Sequence, residues 1–275
     1  MKDKNKELVV KKVFLILVAI LGVMFLGCDN ESDNKTGEIV IQAFDAPFQG
    51  DVEHIYLHII EVSVHKGVAE SDSDTSAQWI VLSDVDTTID FLELVNGEME
   101  TLIQSSLDVG QYSQLRLLLG DSSAIVVNGV SYELRVPSGS QSGVKLNLGF
   151  FIVADEITEI YLDFDAERSI NKYPNQDRYS LQPTFRVFKS VLSGTISGTV
   201  VDTNGNGIQN MSVYAIANGD SATTLSNEDG NYKLVLLADT YTISAAGFEV
   251  IADTVYHDIL LNTEEDLTDI DFIMQ

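Results

Sequence analysis

Apolar and polar side chains alternate with a period of two along most of the chain from Gly37 onward. In residues 157–165, Ile160, Leu162 and Phe164 fall on one side of an extended chain, and three acidic residues and a tyrosine fall on the other. The runs 52–66 and 144–153 are rich in β-branched and aromatic residues. A period of two is typical of half-buried strands, whereas an amphipathic helix needs a period of 3.6. The sequence therefore predicts an all-β protein.

Turn signals support this prediction. Asn128-Gly129 lies between two β-branched runs and predicts a two-residue hairpin, because both of its turn positions require a positive φ. Only residues 91–96 and 166–172 are predicted to be helical, and both segments are short.

A domain boundary is expected near residues 190–195. All four prolines precede it, and residues 191–275 hold thirteen acidic residues and one basic residue, Lys233. After Gly194, strands and turns recur every 8–12 residues or so, as in small sandwiches. The fold class is therefore predicted as all-β, with two β-sandwich-like domains in tandem, at residues 37–190 and 191–275.

The first residues have the features of a secretory signal. Five lysines within the first twelve positions precede fourteen mostly apolar residues, 13–26, a run shorter than the roughly 20 residues of a membrane-spanning helix. Gly27 then precedes Cys28, the single cysteine, which cannot form an internal disulfide. Residues 25–28 resemble a bacterial lipobox, and this implies a signal peptide at 1–27 and lipid on Cys28. The alternative is an uncleaved anchor with an incidental cysteine.

Residues 28–36 are polar and acidic and are predicted to be a tether. The acidic run behind Cys28 resembles the surface-export signal of lipoproteins in Bacteroidetes-like bacteria. We therefore expect an exported protein, at the outer membrane or cell surface, that contacts the membrane through lipid on Cys28.

The charge of the chain limits its partners. Without residues 1–27, 11 basic residues remain against 40 acidic ones, because that segment contains five of the 16 and two of the 42. The resulting formal charge of −29 repels phosphate backbones, so we expect no nucleic-acid binding. The same field attracts divalent cations and basic partners, although simple solubility also explains it.

The second segment resembles the carboxypeptidase regulatory-like domain, a transthyretin-like β-sandwich. The resemblance covers residues 194 to about 248 and lies in Gly198-Thr199-Val200, Asp202, Gly205, Val213, Thr224, Asp229-Gly230, Tyr232, Tyr241 and Gly247-Phe248. In physical terms, Gly198 is expected to open the first strand, and Asn204-Gly205 and Asp229-Gly230 are expected to form turns that need a positive φ. The family resemblance implies no peptidase residues. This fold is similar to that of carbohydrate-binding sandwiches, so a glycan ligand is one expectation, by fold analogy alone.

The first segment resembles a domain of unknown function found in bacterial lipoproteins. The resemblance spans roughly residues 37–188 and lies in Phe44-Asp45-Ala46-Pro47, Val62–His65, Phe91–Leu94, Gly110–Tyr112, Pro137–Gly139, Gly143–Leu146 and Leu162–Ala166. It implies an exported β-rich architecture and no known reaction.

Motifs for catalysis are incomplete. The sequence Gly139-Ser140-Gln141-Ser142-Gly143 has the glycines of a nucleophile elbow but places Gln141 where the serine belongs. His54 and His58 share a face of one strand about 13 Å apart, too far to chelate one ion. Residues 202–207 begin like a calcium loop, but Val213 occupies the position that needs a carboxylate, which favours a simple β-turn.

Asp163 and Asp165 are the candidate site. They share a strand face about 6.6 Å apart and repel each other unless something compensates them. Arg168 and Lys145, or a divalent cation such as calcium, could compensate them, and Asp45 could converge on them. Solvated or hydrogen-bonded carboxylates are the simpler alternative.

The sequence therefore favours a lipid-anchored, non-enzymatic envelope protein of the binding or adhesion type, without catalytic residues or a cofactor. Its ligand would be a glycan or a protein, although the candidate aromatics Trp79, Tyr232 and Tyr241 are expected to pack in strands. Two alternatives remain. One is a metal-dependent enzyme that acts on a glycan or phosphate through the Asp163/Asp165 face, and the other is a structural spacer for a membrane complex.

Overall fold

The computed structural model describes residues 35–48, 51–67, 78–83, 86–136, 143–247, 250–251 and 254–275. These residues form strands almost throughout, in two tandem domains, which confirms the all-β prediction. Among them, no helix is long and apolar enough to cross a membrane. The predicted signal peptide, Cys28 and most of the acidic tether lie outside the described residues.

The first domain contains two sheets. Its strands are β1 (Thr36–Ala46), β2 (Val52–Lys66), β3 (Trp79–Ser83), β4 (Thr87–Asp90), β5 (Glu100–Asp108), β6 (Gly110–Leu119), β7 (Ala124–Val127), β8 (Val130–Arg135), β9 (Val144–Ile152), β10 (Ile157–Asp165), β11 (Ile170–Lys172), β12 (Tyr179–Leu181) and β13 (Phe185–Lys189). One sheet has the order β13-β10-β1-β5, with β1 and β10 parallel. The other has the order β11-β12-β8-β7-β2-β6-β9, and β3 and β4 also pair with the long strand β2.

The predicted alternation forms the core of this domain. Ile160, Leu162 and Phe164 of β10 are fully buried, and so are the three leucines at 115, 117 and 119 of β6. They belong to one hydrophobic cluster with residues from both sheets. The hairpin at Asn128-Gly129 is confirmed, since it joins β7 to β8 with φ values of 50° and 71°.

The two predicted helical segments are shorter than the sequence suggested. A 3-10 turn, η1, covers Phe91–Glu93, and a single helical turn, α1, covers Ala166–Ser169. Residues 170–172 are not helical, because they pair with β12 as the strand β11. A second 3-10 turn, η2 (Ser190–Leu192), leads into the second domain.

The second domain also consists of two sheets around its own core. Its strands are β14 (Ser193–Val201), β15 (Ser212–Ala217), β16 (Asp220–Leu225), β17 (Asn231–Leu237), β18 (Asp239–Gly247), β19 (Val250–Ile251), β20 (Tyr256–Leu261), β21 (Asp266–Leu267) and β22 (Phe272–Ile273). One sheet centres on β14, which pairs with β17, β21 and β22. The other has the order β16-β15-β18-β19, with β20 also on β18.

The prediction that Gly198 opens the first strand of this domain is wrong. Gly198 lies inside β14, and a Cβ there would stand 2.1 Å from the carbonyl oxygen of Ile270. Glycine is therefore required by the close approach of another backbone. Tyr232 and Tyr241 are buried at strand positions, as expected, and their hydroxyls donate to the carbonyls of Ile270 and Leu237.

Candidate functional site

The candidate carboxylates of β10 lie at the junction of the two domains. Asp163 shares its strand with the buried core residues but points to the opposite face of the sheet. The alternation of the sequence predicts that this polar face is exposed to solvent, yet Asp163 is only 3% exposed. Its burial comes from the second domain, because Ala222 and Val235 of that domain line the same small cavity as Asp163.

Arg186 compensates the charge of Asp163. The antiparallel pairing of β10 with β13 places the two residues directly opposite each other. A guanidinium nitrogen of Arg186, Nη2, contacts the Asp163 carboxylate oxygen Oδ2 in an ion pair. Arg186 was not among the predicted site residues, because the pairing of these two strands cannot be read from either strand alone.

Asp165 has a different partner and a local role. Its Oδ1 accepts a hydrogen bond of 2.9 Å from the backbone nitrogen of Arg168, so its side chain caps the first turn of α1. Its Oδ2 lies 3.4 Å from Nε of the same arginine. Of the two basic residues proposed as compensation, Arg168 is therefore in place, whereas the ammonium of Lys145 lies 5.9 Å from the ring centre of Trp79.

Asp220 connects this group to the second domain. It begins β16, and its two carboxylate oxygens lie 3.4 Å from Nη1 of Arg168 and 3.7 Å from Nη1 of Arg186. Each arginine therefore lies between a carboxylate of the first domain and the single carboxylate of Asp220. We call these five residues the interdomain clamp: Asp163, Asp165, Arg168, Arg186 and Asp220.

Burial makes the protonation of Asp163 unusual. Desolvation raises the pKa of its carboxyl from 3.8 to about 6, against the opposing effect of Arg186. The negative charges of Asp165 and Asp220 raise the pKa further. The ion pair with Arg186 therefore does not fully offset the free-energy cost of burying an ionised carboxylate between the two domains.

Apolar and backbone contacts extend the seam beyond the clamp. Phe44, Tyr161 and Phe188 form an edge-to-face trio on the outer face of the sheet, with ring centres 5.9–6.3 Å apart. Val235 of β17 is buried in the hydrophobic cluster of the first domain rather than in that of its own domain. The two domains are therefore joined by apolar contacts as well as by ion pairs.

Asn96 adds hydrogen bonds across the same seam. It lies just after η1, and its backbone nitrogen donates to the hydroxyl of Thr224 at 3.0 Å. Its side-chain oxygen accepts from the backbone nitrogen of Lys233 at 2.6 Å. The residue holds a φ of 61°, a left-handed conformation that asparagine tolerates better than most residues.

A cleft of about 180 Å³ opens beside the clamp. Its lining combines Asp163, Arg186 and Asp220 with Asp239 and Tyr241. Three carboxylates therefore converge on one concave surface, together with an arginine. Burial raises the pKa of the Tyr241 phenol to about 12, so this hydroxyl stays protonated at neutral pH.

Two of the sequence-predicted site elements lie partly or wholly outside the residues that the structure describes. Asp45 is in β1, paired in register with Phe164, but its side chain lies outside the described residues. The incomplete nucleophile elbow at residues 139–142 lies outside them as well. A cation at Asp163, Asp165 and Asp45 stays a prediction.

The calcium-like loop and the histidines have local partners. Asp202 accepts hydrogen bonds from the backbone nitrogens of Asn204 and Asn206, both at 2.8 Å, and its pKa falls to about 2, chiefly through its side-chain bond to Asn206. This is the turn that the sequence favoured. His54 and His58 do not act together: Nδ1 of His54 lies 2.5 Å from Asp90, and Nε2 of His58 lies 2.6 Å from Asp86.

Trp79 packs as a strand residue rather than presenting an open ring. The Arg116 guanidinium lies 4.5 Å from its ring centre, and His65 meets the ring at 5.2 Å in an edge arrangement. With Tyr232 and Tyr241 buried, the aromatic residues considered for glycan stacking all serve packing, as expected.

Two protein families match the chain. Residues 36–183 match the family described as Domain of unknown function (DUF4382), and residues 195–275 match the Carboxypeptidase regulatory-like domain. Both agree with the resemblances in the sequence. No curated protein matches the chain.

Several solved structures share a distant likeness. The Bacillus anthracis TIE protein is 12% identical over 87% of this chain, with a TM-score of 0.26, and this chain spans only 34% of its length. Shaft pilin spaA from Lactobacillus rhamnosus GG is 9% identical, with 87% of this chain and 98% of the pilin covered and a TM-score of 0.26. The streptococcal ancillary pilin is 11% identical, with coverage of 86% and 69% and a TM-score of 0.25.

Proposed function

Because the chain belongs to the DUF4382 family and carries a carboxypeptidase regulatory-like domain behind it, we propose that it is a lipid-anchored, non-enzymatic envelope protein of the binding or adhesion type. The anchor is lipid on Cys28, at the outer membrane or the cell surface. The two β-domains act as one body that presents a glycan- or protein-binding surface, and a carbohydrate-binding-like role for the second domain rests on fold analogy alone.

The interdomain clamp is the observation that carries this proposal. Its two arginines are bonded to the carboxylates that would otherwise be available for acid–base work or for a metal. The oxygen atoms of such a carboxylate are occupied by the guanidinium, so they are not free to accept a proton from a substrate or to bind a cation. These carboxylates therefore join the two domains, and a binding protein benefits from such a fixed arrangement because less freedom is lost on association.

One observation favours the enzyme alternative. Asp163, Asp220 and Asp239 converge on the cleft of about 180 Å³, which is large enough for a hydrated ion and part of a substrate. For a metal-dependent reaction on a glycan or phosphate, the cation would have to displace Arg186 from Asp163. The third option is a structural spacer that holds a membrane complex at a distance from the membrane. The clamp is equally compatible with this role, because a spacer also needs two domains in a fixed arrangement.

Binding to envelopes separates these options. The chain from residue 28, with Cys28→Ser to keep it soluble, is labelled and titrated onto envelopes of the producing cell. The proposal predicts saturable binding that unlabelled chain competes. Loss after periodate treatment of the envelopes indicates a glycan, and loss after protease treatment indicates a protein. Absence of saturable binding contradicts a binding role and favours the spacer.

A further inference from the structure

Three side chains with metal-binding atoms that do not belong to the interdomain clamp meet in the first domain. His54 lies on β2, Asp90 ends β4, and Glu93 ends the 3-10 turn η1. One donor atom from each lies within 4.8 Å of the others. The three residues are separated by up to 39 positions in the sequence, so the fold brings them together.

The backbone explains why they converge. β4 pairs with β2 in a register that sets Asp90 opposite Tyr56, and His54 is two positions away on the same face. η1 then turns the chain back, and this turn is held by Phe91, which is fully buried and meets Phe164 at 5.0 Å between ring centres. Glu93 is thereby returned to the side of β2 that carries His54.

Neighbouring groups hold Asp90 and His54 in position. Oδ1 of Asp90 accepts hydrogen bonds from the backbone nitrogens of Ile55 at 3.2 Å and Leu92 at 3.3 Å. Its other oxygen, Oδ2, therefore faces Nδ1 of His54 at 2.5 Å. The imidazole also stacks on Tyr56, with ring centres 5.3 Å apart and planes 14° from parallel. Such outer contacts orient ligands in metal sites.

The spacing suits a small divalent cation. Zinc binds imidazole nitrogen and carboxylate oxygen at about 2.0–2.2 Å, which places neighbouring ligand atoms about 3.3 Å apart in a tetrahedral site. The Asp90 side chain is 9% exposed, whereas the Glu93 side chain is exposed to solvent. Zinc would replace the proton between His54 and Asp90 and would move these two ligand atoms apart from 2.5 Å to about 3.3 Å, and the Glu93 carboxylate would have to lie at a similar distance from both.

The ligand types select the class of metal. One imidazole with two carboxylates suits zinc and related transition ions, whereas calcium and magnesium prefer oxygen ligands only. The charge of the chain raises the local concentration of any cation. We propose that His54, Asp90 and Glu93 form a zinc-class site with an open coordination position, available to water or to a ligand atom of a partner.

Zinc titration of the soluble chain tests this site. The chain from residue 28 carries Cys28→Ser, so that its thiol binds no zinc, and a chromophoric chelator reports competition. We expect one saturable site per chain, and His54→Ala and Glu93→Gln should each weaken it by at least about 10-fold. Asp90→Asn is avoided, because Asp90 also caps η1 and its loss could unfold the turn.

Matched controls separate the site from general attraction of cations. His257→Ala and Glu98→Gln remove an exposed histidine and an exposed glutamate elsewhere and should leave the zinc affinity unchanged. Cobalt in place of zinc should give a visible absorption band that disappears in His54→Ala. The site is refuted if the wild type shows no stoichiometric site, or if the two ligand variants bind zinc as tightly as the two controls.

Discussion

Replacing Asp163 by asparagine should change how the stability of the protein depends on pH. The folded-state pKa of Asp163 is raised from 3.8 to about 6. A carboxyl with a raised pKa stabilises the folded state when it is protonated, so its contribution is complete below about pH 4 and is lost as the pH rises through about 6. At 1.36 kcal/mol per pKa unit, the difference corresponds to about 3 kcal/mol. Asparagine carries no titrating proton and removes this dependence.

Urea unfolding at pH 4 and pH 7.5 measures the effect on the soluble chain from residue 28. The remaining acidic residues titrate in both proteins, so their contribution cancels when the variant is compared with the wild type. The free energy of unfolding of Asp163→Asn, relative to wild type, should rise by up to about 3 kcal/mol between the two pH values. Asp121→Asn, which removes an exposed carboxylate outside the clamp, is the matched control. An equal difference at both pH values would refute the burial argument, and a change of opposite sign would mean that Arg186 outweighs desolvation.

Two further predictions concern the domains and the acidic face. Residues 36–190 and 191–275 should each unfold cooperatively when produced alone, because each has its own core. The second piece should be less stable than it is in the whole chain, because Val235 loses its contacts with the first domain. A non-cooperative thermal melt of either piece contradicts this prediction. If a calcium ion binds at Asp163 and Asp165, calcium at fixed, high ionic strength should raise the thermal stability of the wild type until the site is saturated. The double variant Asp163→Asn with Asp165→Asn should lack that response. Equal responses in both proteins would exclude the ion.

Much of the fold could be predicted from local pattern. Alternation places Ile160, Leu162 and Phe164 in the core because the period of a strand is two, whichever strands pair beside it. The Asn128-Gly129 hairpin follows from two adjacent residues that accept positive φ. The helix prediction for residues 170–172 was wrong because their pairing with β12 outweighed a weak local preference for helix.

The site could be predicted only in part. Asp163 and Asp165 were identified because like charges on one face require compensation, and that reasoning correctly included Arg168. Arg186 and Asp220 were missed because each depends on a long-range pairing, one between strands and one between domains. The cluster at His54 was missed for the same reason, since its carboxylates arrive from β4 and η1 rather than from the histidine strand.

Metabolic labelling with a fatty acid tests the anchored nature of the protein most directly. Cells that produce the full chain should incorporate the label into it and hold it in the membrane fraction. Cys28→Ser should carry no label and should either leave the membrane or keep its signal peptide uncleaved. A control substitution in the following tether, Ser32→Ala, should behave as wild type. Label incorporated equally into wild type and Cys28→Ser would contradict the lipid anchor, and with it the placement of both β-domains at the envelope surface.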